Sequence, residues 1–385
     1  MSPARRAPLE LSAADARRIW LRAQRLDAPE PFGTGPEAVR RAVEQLGYVQ
    51  IDTIHVIERA HHHILWSRIP GYRRADLHAA LSRDKSVFEY WTHALAYVPT
   101  RDFRFFLPEM KRRRETPGRW FGSTPPGELR RVLARIRRDG PLSIRDFDDT
   151  PVEKVHLWAS RKPSKRALEC GFHGGALTIS ARSGMLKTYD LTRRHFGWDA
   201  SPRPASPRQV LDYLLDRALG AQGAVCLDSI CYLDAARKPA MAELIAGRVR
   251  RRRLLPVALG IEGAPPHWIT PEAAADPPAP VDPTAVHILS PFDPLVIQRK
   301  RLGLLFGYDH VFEAYVPESR RRFGYFALPV LVGDRIAAAI DIKADRSKRR
   351  LEIRQWTWTE GAPAAGDKAA IEAALHRFEA FQFAS

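Results

Sequence analysis

The sequence repeats one pattern three times: a helix, a short apolar strand, further helical sequence and a hairpin. The first strand is GYVQIDTI at 47–54, and the third is GAVCLDSI at 223–230. The second, GPLSIRDF at 140–147, keeps only the apolar alternation. A period of roughly 80–100 residues is longer than that of stacked repeats, so we predict tandem domains.

Helix, short strand, helices and hairpin occur in this order in a winged helix-turn-helix. In the first copy, Ser12 is expected to cap a helix, and a second helix is expected just before residue 47. The alternating sequence of 86–91 and 94–98 predicts the two strands of a hairpin. Trp91 of this hairpin is expected to pack in the core.

Beyond a proline-rich linker at 272–283, the pattern changes to strands at 325–332, 336–342 and 351–359, followed by a helix at 367–380. We therefore predict an α+β protein with three tandem winged-helix domains and a C-terminal antiparallel β-barrel domain. The predicted domains are 1–120, 121–204, 205–284 (the third winged helix with its linker) and 285–385 (the barrel with its terminal helix).

The chain is strongly basic, with 61 Lys and Arg against 44 Asp and Glu and a formal charge of +17. Such an excess favours a polyanionic partner, above all nucleic acid, because neutralising phosphates gives affinity without sequence specificity. Taken singly, a basic run such as 111–114 or 346–350 is as typical of a solvated face.

Several classes of protein have no support in the sequence. The odd number of cysteines (Cys170, Cys226 and Cys231) fits a reducing cytoplasm without a disulfide framework. No Walker A motif, GxSxG motif or CxxC pair occurs, and no apolar run reaches the roughly 18 residues of a membrane span. We expect a cytoplasmic monomer that needs no metal or cofactor and does not contact a membrane.

Gln50 and Asp52 lie on one face of the first strand, about 6–7 Å apart. A carboxylate beside an amide can hold and polarise a water molecule. However, Asp52 and its counterpart Asp228 both precede a hydroxyl residue at an expected helix start, where capping is a sufficient explanation. Ser143 and Cys226 stand at the place of Gln50, so only the first copy has the pair.

The run His61-His62-His63 does not predict a metal site, because successive helical side chains diverge by about 100°. His55 and either His62 or His63 share a face with Trp66. They are either packed under the Gln50 and Asp52 stretch or in contact with phosphate or substrate. No lysine lies nearby in the sequence, which argues against a Schiff-base mechanism.

GYVQIDTI is followed by AHHHILWSR, GYRRADLHAAL, LSPFDPLVIQRKRLGLLFGYDHVFEAYVP and FGYFALPVLVGDRIAAAIDIKADR. Over about residues 10–380, these blocks resemble the YcaQ/AlkZ family of bacterial alkylpurine DNA glycosylases. The resemblance implies three winged helices on a C-terminal β-barrel. Gln50-Ile51-Asp52 matches the Gln-x-Asp form of the family's catalytic motif, which implies that Gln50 and Asp52 are the catalytic pair.

The implied partner is double-stranded DNA that carries N7-alkylated purines or interstrand crosslinks. Asp52 would stabilise an oxocarbenium-like sugar and activate a water held by Gln50, and the product would be an abasic site. The alternative is a winged-helix transcriptional regulator without catalysis. The residues expected to contact DNA or substrate are His55, His62, His63, Arg68, His93, Arg112, Arg113, Lys162, Lys165, Lys348, Arg349 and Arg350.

Overall fold

A computed structural model describes residues 7–116, 126–149, 162–359 and 363–384. The chain forms two compact units, one of Met1–Arg73 with Leu211–Ser385 and the other of Arg74–Val210. The four predicted domains stay a prediction, and their boundary at 120 and 121 lies outside the described residues. No helix within the described ranges is long and apolar enough to cross a membrane.

The first unit begins with two helices and two short strands before a third helix. These elements are β1 (Leu9–Leu11), α1 (Ala13–Ala23), α2 (Gly35–Leu46), β2 (Val49–Gln50) and α3 (Ala60–Trp66). Ser12 caps α1 as predicted, because its hydroxyl accepts a hydrogen bond from the Asp15 N–H at 3.1 Å. Val39, Val43 and Leu46 form the buried face of α2.

The second unit contains two hairpins and their helices. Its elements are α4 (Arg74–Ser82), β3 (Val87–Trp91), β4 (Leu95–Pro99), α5 (Phe103–Glu115), α6 (Pro126–Asp139), β5 (Leu142–Ser143), α7 (Pro163–His173), β6 (Leu177–Ser183), β7 (Leu186–Leu191) and α8 (Thr192–Phe196). The hairpin predicted at 86–98 is confirmed by the antiparallel pairing of β3 with β4. A buried ion pair links the two hairpins, with Arg182 Nη2 donating to Glu89 Oε2 at 2.6 Å.

Helix α9 (Pro207–Gln222) crosses the boundary between the units and returns the chain to the first. The remaining elements are α10 (Leu227–Ile230), α11 (Lys238–Arg250), β8 (Leu255–Leu259), β9 (His267–Ile269), α12 (Pro271–Ala275), β10 (Val286–Ile288), α13 (Pro294–Ile297), α14 (Arg299–Phe306), β11 (Ala327–Val332), β12 (Arg335–Asp345), β13 (Arg350–Trp358) and α15 (Asp367–Phe383). Strand β1 pairs parallel with β8, so the N-terminus extends the hairpin of β8 and β9.

The α+β class is confirmed, but the predicted C-terminal β-barrel is not supported. Strands β10, β11, β12 and β13 form one antiparallel sheet in that order. In the described part of the chain, the edge strands β10 and β13 do not pair with each other. Helix α15 packs against β10, β11 and β13 instead. The apolar sheet is therefore covered by a helix rather than closed on itself.

Candidate active site

The Gln-x-Asp stretch begins at a helix end that requires glycine. Gly47 ends α2 with a left-handed backbone (φ 76°), and its N–H donates to the Val43 carbonyl. A Cβ at this position would lie 2.4 Å from Cγ of Arg217. Glycine is needed both for the backbone conformation and for the space.

Strand β2 is only two residues long, and the chain then runs without a helix until α3 begins at Ala60. Val49, Gln50 and Ile51 are buried, and Asp52, which lies beyond the end of β2, is half-buried. Asp52 Oδ1 accepts a hydrogen bond from the Ile54 N–H at 2.8 Å. The N-cap interpretation of Asp52 is therefore wrong, because no helix starts beside it.

The segment 51–59, here called the 51–59 loop, is attached to the C-terminal sheet and helix. Arg346 Nη2 donates to the carbonyls of His55 at 3.0 Å and Ile57 at 3.3 Å. The Ala344 N–H donates to the Val56 carbonyl at 3.0 Å, and the Glu58 N–H donates to Gln382 Oε1 at 2.6 Å. Nothing in the sequence indicates these contacts, which join residues separated by 288 to 324 positions in the chain.

Helix α3 and the residues after it are anchored by Arg68, whose side chain is fully buried. Its guanidinium donates to both carboxylate oxygens of Asp293, at 2.7 and 2.9 Å, and to the Gln24 carbonyl at 2.9 Å. A buried and paired guanidinium cannot reach phosphate, so Arg68 is corrected from a DNA contact to an anchor of the site.

His63 is fully buried as well, with Nε2 at 2.8 Å from the Ile288 carbonyl. Burial lowers its pKa to about 4, so the ring is neutral near pH 7 and donates from Nε2. His63 is accordingly corrected from a DNA contact to a packed histidine, one of the two alternatives for the histidine run.

The other histidines predicted to contact DNA, which are His55, His62 and His93, are more accessible than His63. His55 is exposed, with Nε2 3.6 Å from Glu58 Oε1, and His62 Nδ1 lies 2.5 Å from the Tyr72 hydroxyl. His93, in the second unit, is half-buried at the turn of its hairpin. Among the residues that the structure describes, no three His, Cys, Asp or Glu side chains come together as metal ligands.

Comparison with known proteins identifies the family. The model of the AlkZ-like family of DNA glycosylases matches residues 43–381. The chain belongs to this family. It is a DNA glycosylase and DNA is its substrate, so the alternative of a regulator without catalysis is not retained.

The fold also has a solved counterpart. The structure of the Streptomyces sahachiroi DNA glycosylase AlkZ is similar to this chain, with a TM-score of 0.61 and 17% sequence identity. The similarity covers 97% of each chain. At this identity the likeness concerns the fold alone.

A DNA glycosylase also has to hold the DNA backbone, and the predicted basic residues lie on three elements. In the second unit, Arg112 and Arg113 at the end of α5 both pair with Glu109, at 2.6 and 2.7 Å. Lys162 precedes the first turn of α7, and Lys165 is exposed on this helix.

In the first unit, Lys348, Arg349 and Arg350 are exposed at the turn between β12 and β13. The turn is fixed by Asp345, whose Oδ1 accepts from the N–H groups of Ser347 and Lys348, both at 3.1 Å. Hydrogen bonds from Ser347 and Lys348 lower the pKa of Asp345 to about 2.

Trp91 is 43% exposed at the end of β3, which corrects the expectation that it packs in the core. Its ring lies 6.1 Å from that of His173. A strand that is buried up to its last residue gives no sequence signal for the point at which it leaves the core.

Proposed function

We propose that this DNA glycosylase hydrolyses the N-glycosidic bond of N7-alkylated purines and unhooks interstrand crosslinks, with Gln50 and Asp52 as the catalytic pair. The observation that carries the proposal is the state of the Asp52 carboxylate. It is held by the Ile54 N–H, caps no helix and, within the described ranges, pairs with no arginine or lysine. Its negative charge is therefore available to a substrate.

The chemistry needs little more than these two side chains. Alkylation at N7 gives the purine a positive charge, so it leaves without being protonated. Asp52 opposes the positive charge that develops on the sugar and accepts a proton from the attacking water, which the Gln50 amide holds. The stretch 47–59 contains no lysine. Water is then the nucleophile, and the product is an abasic site without strand cleavage.

The attachment of the 51–59 loop supports this assignment. Arg346 and the Ala344 N–H donate hydrogen bonds to the loop, and the Glu58 N–H donates to Gln382 Oε1, so that residues 55–58, directly after the Asp52 turn, are fixed. A site built on an irregular segment needs such support, because a displacement of about 1 Å can lower the rate about 100-fold. We infer that Arg346 is a positioning residue for Asp52.

DNA backbone contacts are proposed for the accessible members of the predicted set. Phosphates would be neutralised by basic residues on three elements, and histidines near the motif would contact the strand that carries the lesion. The proposed residues are His55, His62, His93, Arg112, Arg113, Lys162, Lys165, Lys348, Arg349 and Arg350. We also propose that residues 1–284 form three winged helices and that the protein acts as a cytoplasmic monomer.

The experiment is a cleavage assay on defined DNA. The protein is incubated with a duplex that carries one N7-methylguanine, or with a nitrogen-mustard crosslink, and then treated with alkali. The proposal predicts free modified base and alkali-labile abasic sites, with no covalent adduct after borohydride reduction. Intact strands with both substrates would contradict the proposed substrate class, and a borohydride-trapped adduct would contradict water as the nucleophile.

A further inference from the structure

Two large apolar side chains outside the candidate active site are unusually exposed. In the described part of the chain, Tyr315 is 85% exposed and Leu233 is 76% exposed. Both belong to the first unit. Exposed apolar side chains of this size often mark a surface that meets another molecule, although single ones also occur without function. The surroundings of Tyr315 decide between these two explanations.

Tyr315 lies in an irregular segment, 309–326, that is fixed by two buried carboxylates. Glu313 accepts hydrogen bonds from the N–H groups of Arg322 and Phe323, both at 2.6 Å. Asp341 accepts from the N–H groups of Tyr325 at 2.8 Å and Phe326 at 3.0 Å. The end of the segment is therefore held in one conformation.

The Tyr315 ring contacts a group of aromatic rings on its protein side. Its ring centroid lies 6.1 Å from that of Phe312, which is itself 5.7 Å from Phe326 and 5.1 Å from Phe292. The Tyr315 ring therefore rests on an aromatic cluster. Most of its own surface stays open to solvent.

The neighbouring charges are positive. Arg320 and Arg322 are exposed, and Arg321 Nε donates to the Val316 carbonyl at 2.9 Å. Glu318 is the exposed acidic residue of the same turn. An open aromatic face with exposed arginines in the same segment is a combination that binds a base and its phosphates.

We propose that Tyr315 stacks on a nucleobase of the bound DNA, with Arg320 and Arg322 on adjacent phosphates. The inference deepens the proposed function, since it adds a base-stacking contact to the DNA surface proposed above. Apolar side chains inserted between bases help to unstack DNA, which gives an enzyme access to a base inside a duplex.

The test measures binding to a duplex with a tetrahydrofuran abasic analogue next to 2-aminopurine. Tyr315→Ala is expected to weaken binding about 10-fold, the loss of one base–aromatic stack, and to change the 2-aminopurine fluorescence of the complex. Tyr315→Phe keeps the ring and should bind like the wild type. Ile353→Ala removes another exposed apolar side chain of the same unit and should also have no effect.

The salt dependence separates stacking from charge. Tyr315→Ala should leave the slope of log affinity against log salt unchanged, whereas Arg320→Ala should reduce it by about 1. Wild-type affinity and fluorescence for Tyr315→Ala would overturn the inference and would leave a protein partner as the use of this turn. The duplex contains no alkylated base, so this outcome does not depend on whether N7-methylguanine is excised.

Discussion

The first and third copies of the repeat share four of eight residues at the strand, including the aspartate, but fold differently there. In the third copy, α10 begins at Leu227, with Cys226 at its N-cap position. Asp228 is exposed and forms an ion pair with Lys238, which lowers the pKa of its carboxyl. In the first copy, no helix begins until Ala60, and the Asp52 carboxylate accepts a hydrogen bond from the backbone N–H of Ile54.

The difference has a physical cause in tertiary contacts. In the third copy, the Ser229 hydroxyl accepts from the Cys226 N–H at 3.1 Å and closes the helix start locally. In the first copy, the chain just after the corresponding stretch is instead bound by Ala344 of β12 and by Arg346, which follows this strand, at the carbonyls of Val56, His55 and Ile57. These long-range contacts hold residues 55–58 outside a helix, and within the described ranges Asp52 forms no ion pair with an arginine or lysine.

The largest expected effect is on stability. It compares the buried ion pair of Arg68 with Asp293 in the first copy with the exposed ion pair of Lys238 with Asp228 in the third. Arg68→Ala leaves the Asp293 carboxylate buried without its partner, which is expected to lower the free energy of unfolding by about 3–5 kcal/mol. Lys238→Ala breaks an exposed ion pair and should change stability little. Urea unfolding of both variants measures this. Equal stabilities would mean that the Arg68 ion pair is no anchor.

Gln50 and Cys226 occupy the same position in the two copies. Gln50→Ala should slow excision about 100-fold by removing the amide that holds the water, whereas Cys226→Ala should excise at nearly the wild-type rate. Single-turnover excision of N7-methylguanine is the measurement, with DNA affinity as the control. If the two variants slow excision equally, Gln50 has no special role.

Arg346 tests whether the loop's attachment is needed for catalysis. Arg346→Ala removes the hydrogen bonds to the His55 and Ile57 carbonyls and should lower the rate constant for excision about 10-fold. Lys343→Ala removes one positive charge from β12, the strand that ends just before Arg346, and is the matched control. A loss of affinity in both variants, without a loss of rate, would make Arg346 a DNA contact instead.

The pH dependence of stability should reflect the burial of His63. His63 has a pKa of about 4 when folded and an ordinary value of 6.5 when unfolded. The unfolded state therefore binds the proton first, so stability should fall as pH decreases from 6.5 towards 4 and should not change with His63 above this window. In the His63→Gln variant, the midpoint of urea unfolding should depend less on pH between 6.5 and 4 than in the wild type. An identical profile for the variant would mean that His63 is not neutral in the folded protein.

Local patterns predicted much of the fold, and long-range contacts explain what they missed. Ser12 as a cap, the hairpin of β3 and β4 and the strands β11 to β13 follow from capping and alternation. The barrel was wrong because closure depends on whether two edge strands meet. Arg68 looked like a surface cation because its partner, Asp293, is 225 residues away. Gln50 and Asp52 as a catalytic pair stay a prediction, and the loop that contains Asp52 could not be predicted, because its partners Ala344, Arg346 and Gln382 lie far away in the sequence.

The most direct measurement compares Asp52→Asn with Asp228→Asn in single-turnover excision of N7-methylguanine from a duplex. Our account predicts that Asp52→Asn slows excision by about 100-fold to 10,000-fold, since the charge and the general base are lost together. DNA affinity should stay near the wild-type value, and Asp228→Asn should excise normally. An Asp52→Asn variant that excises as fast as Asp228→Asn would contradict the assignment of Asp52.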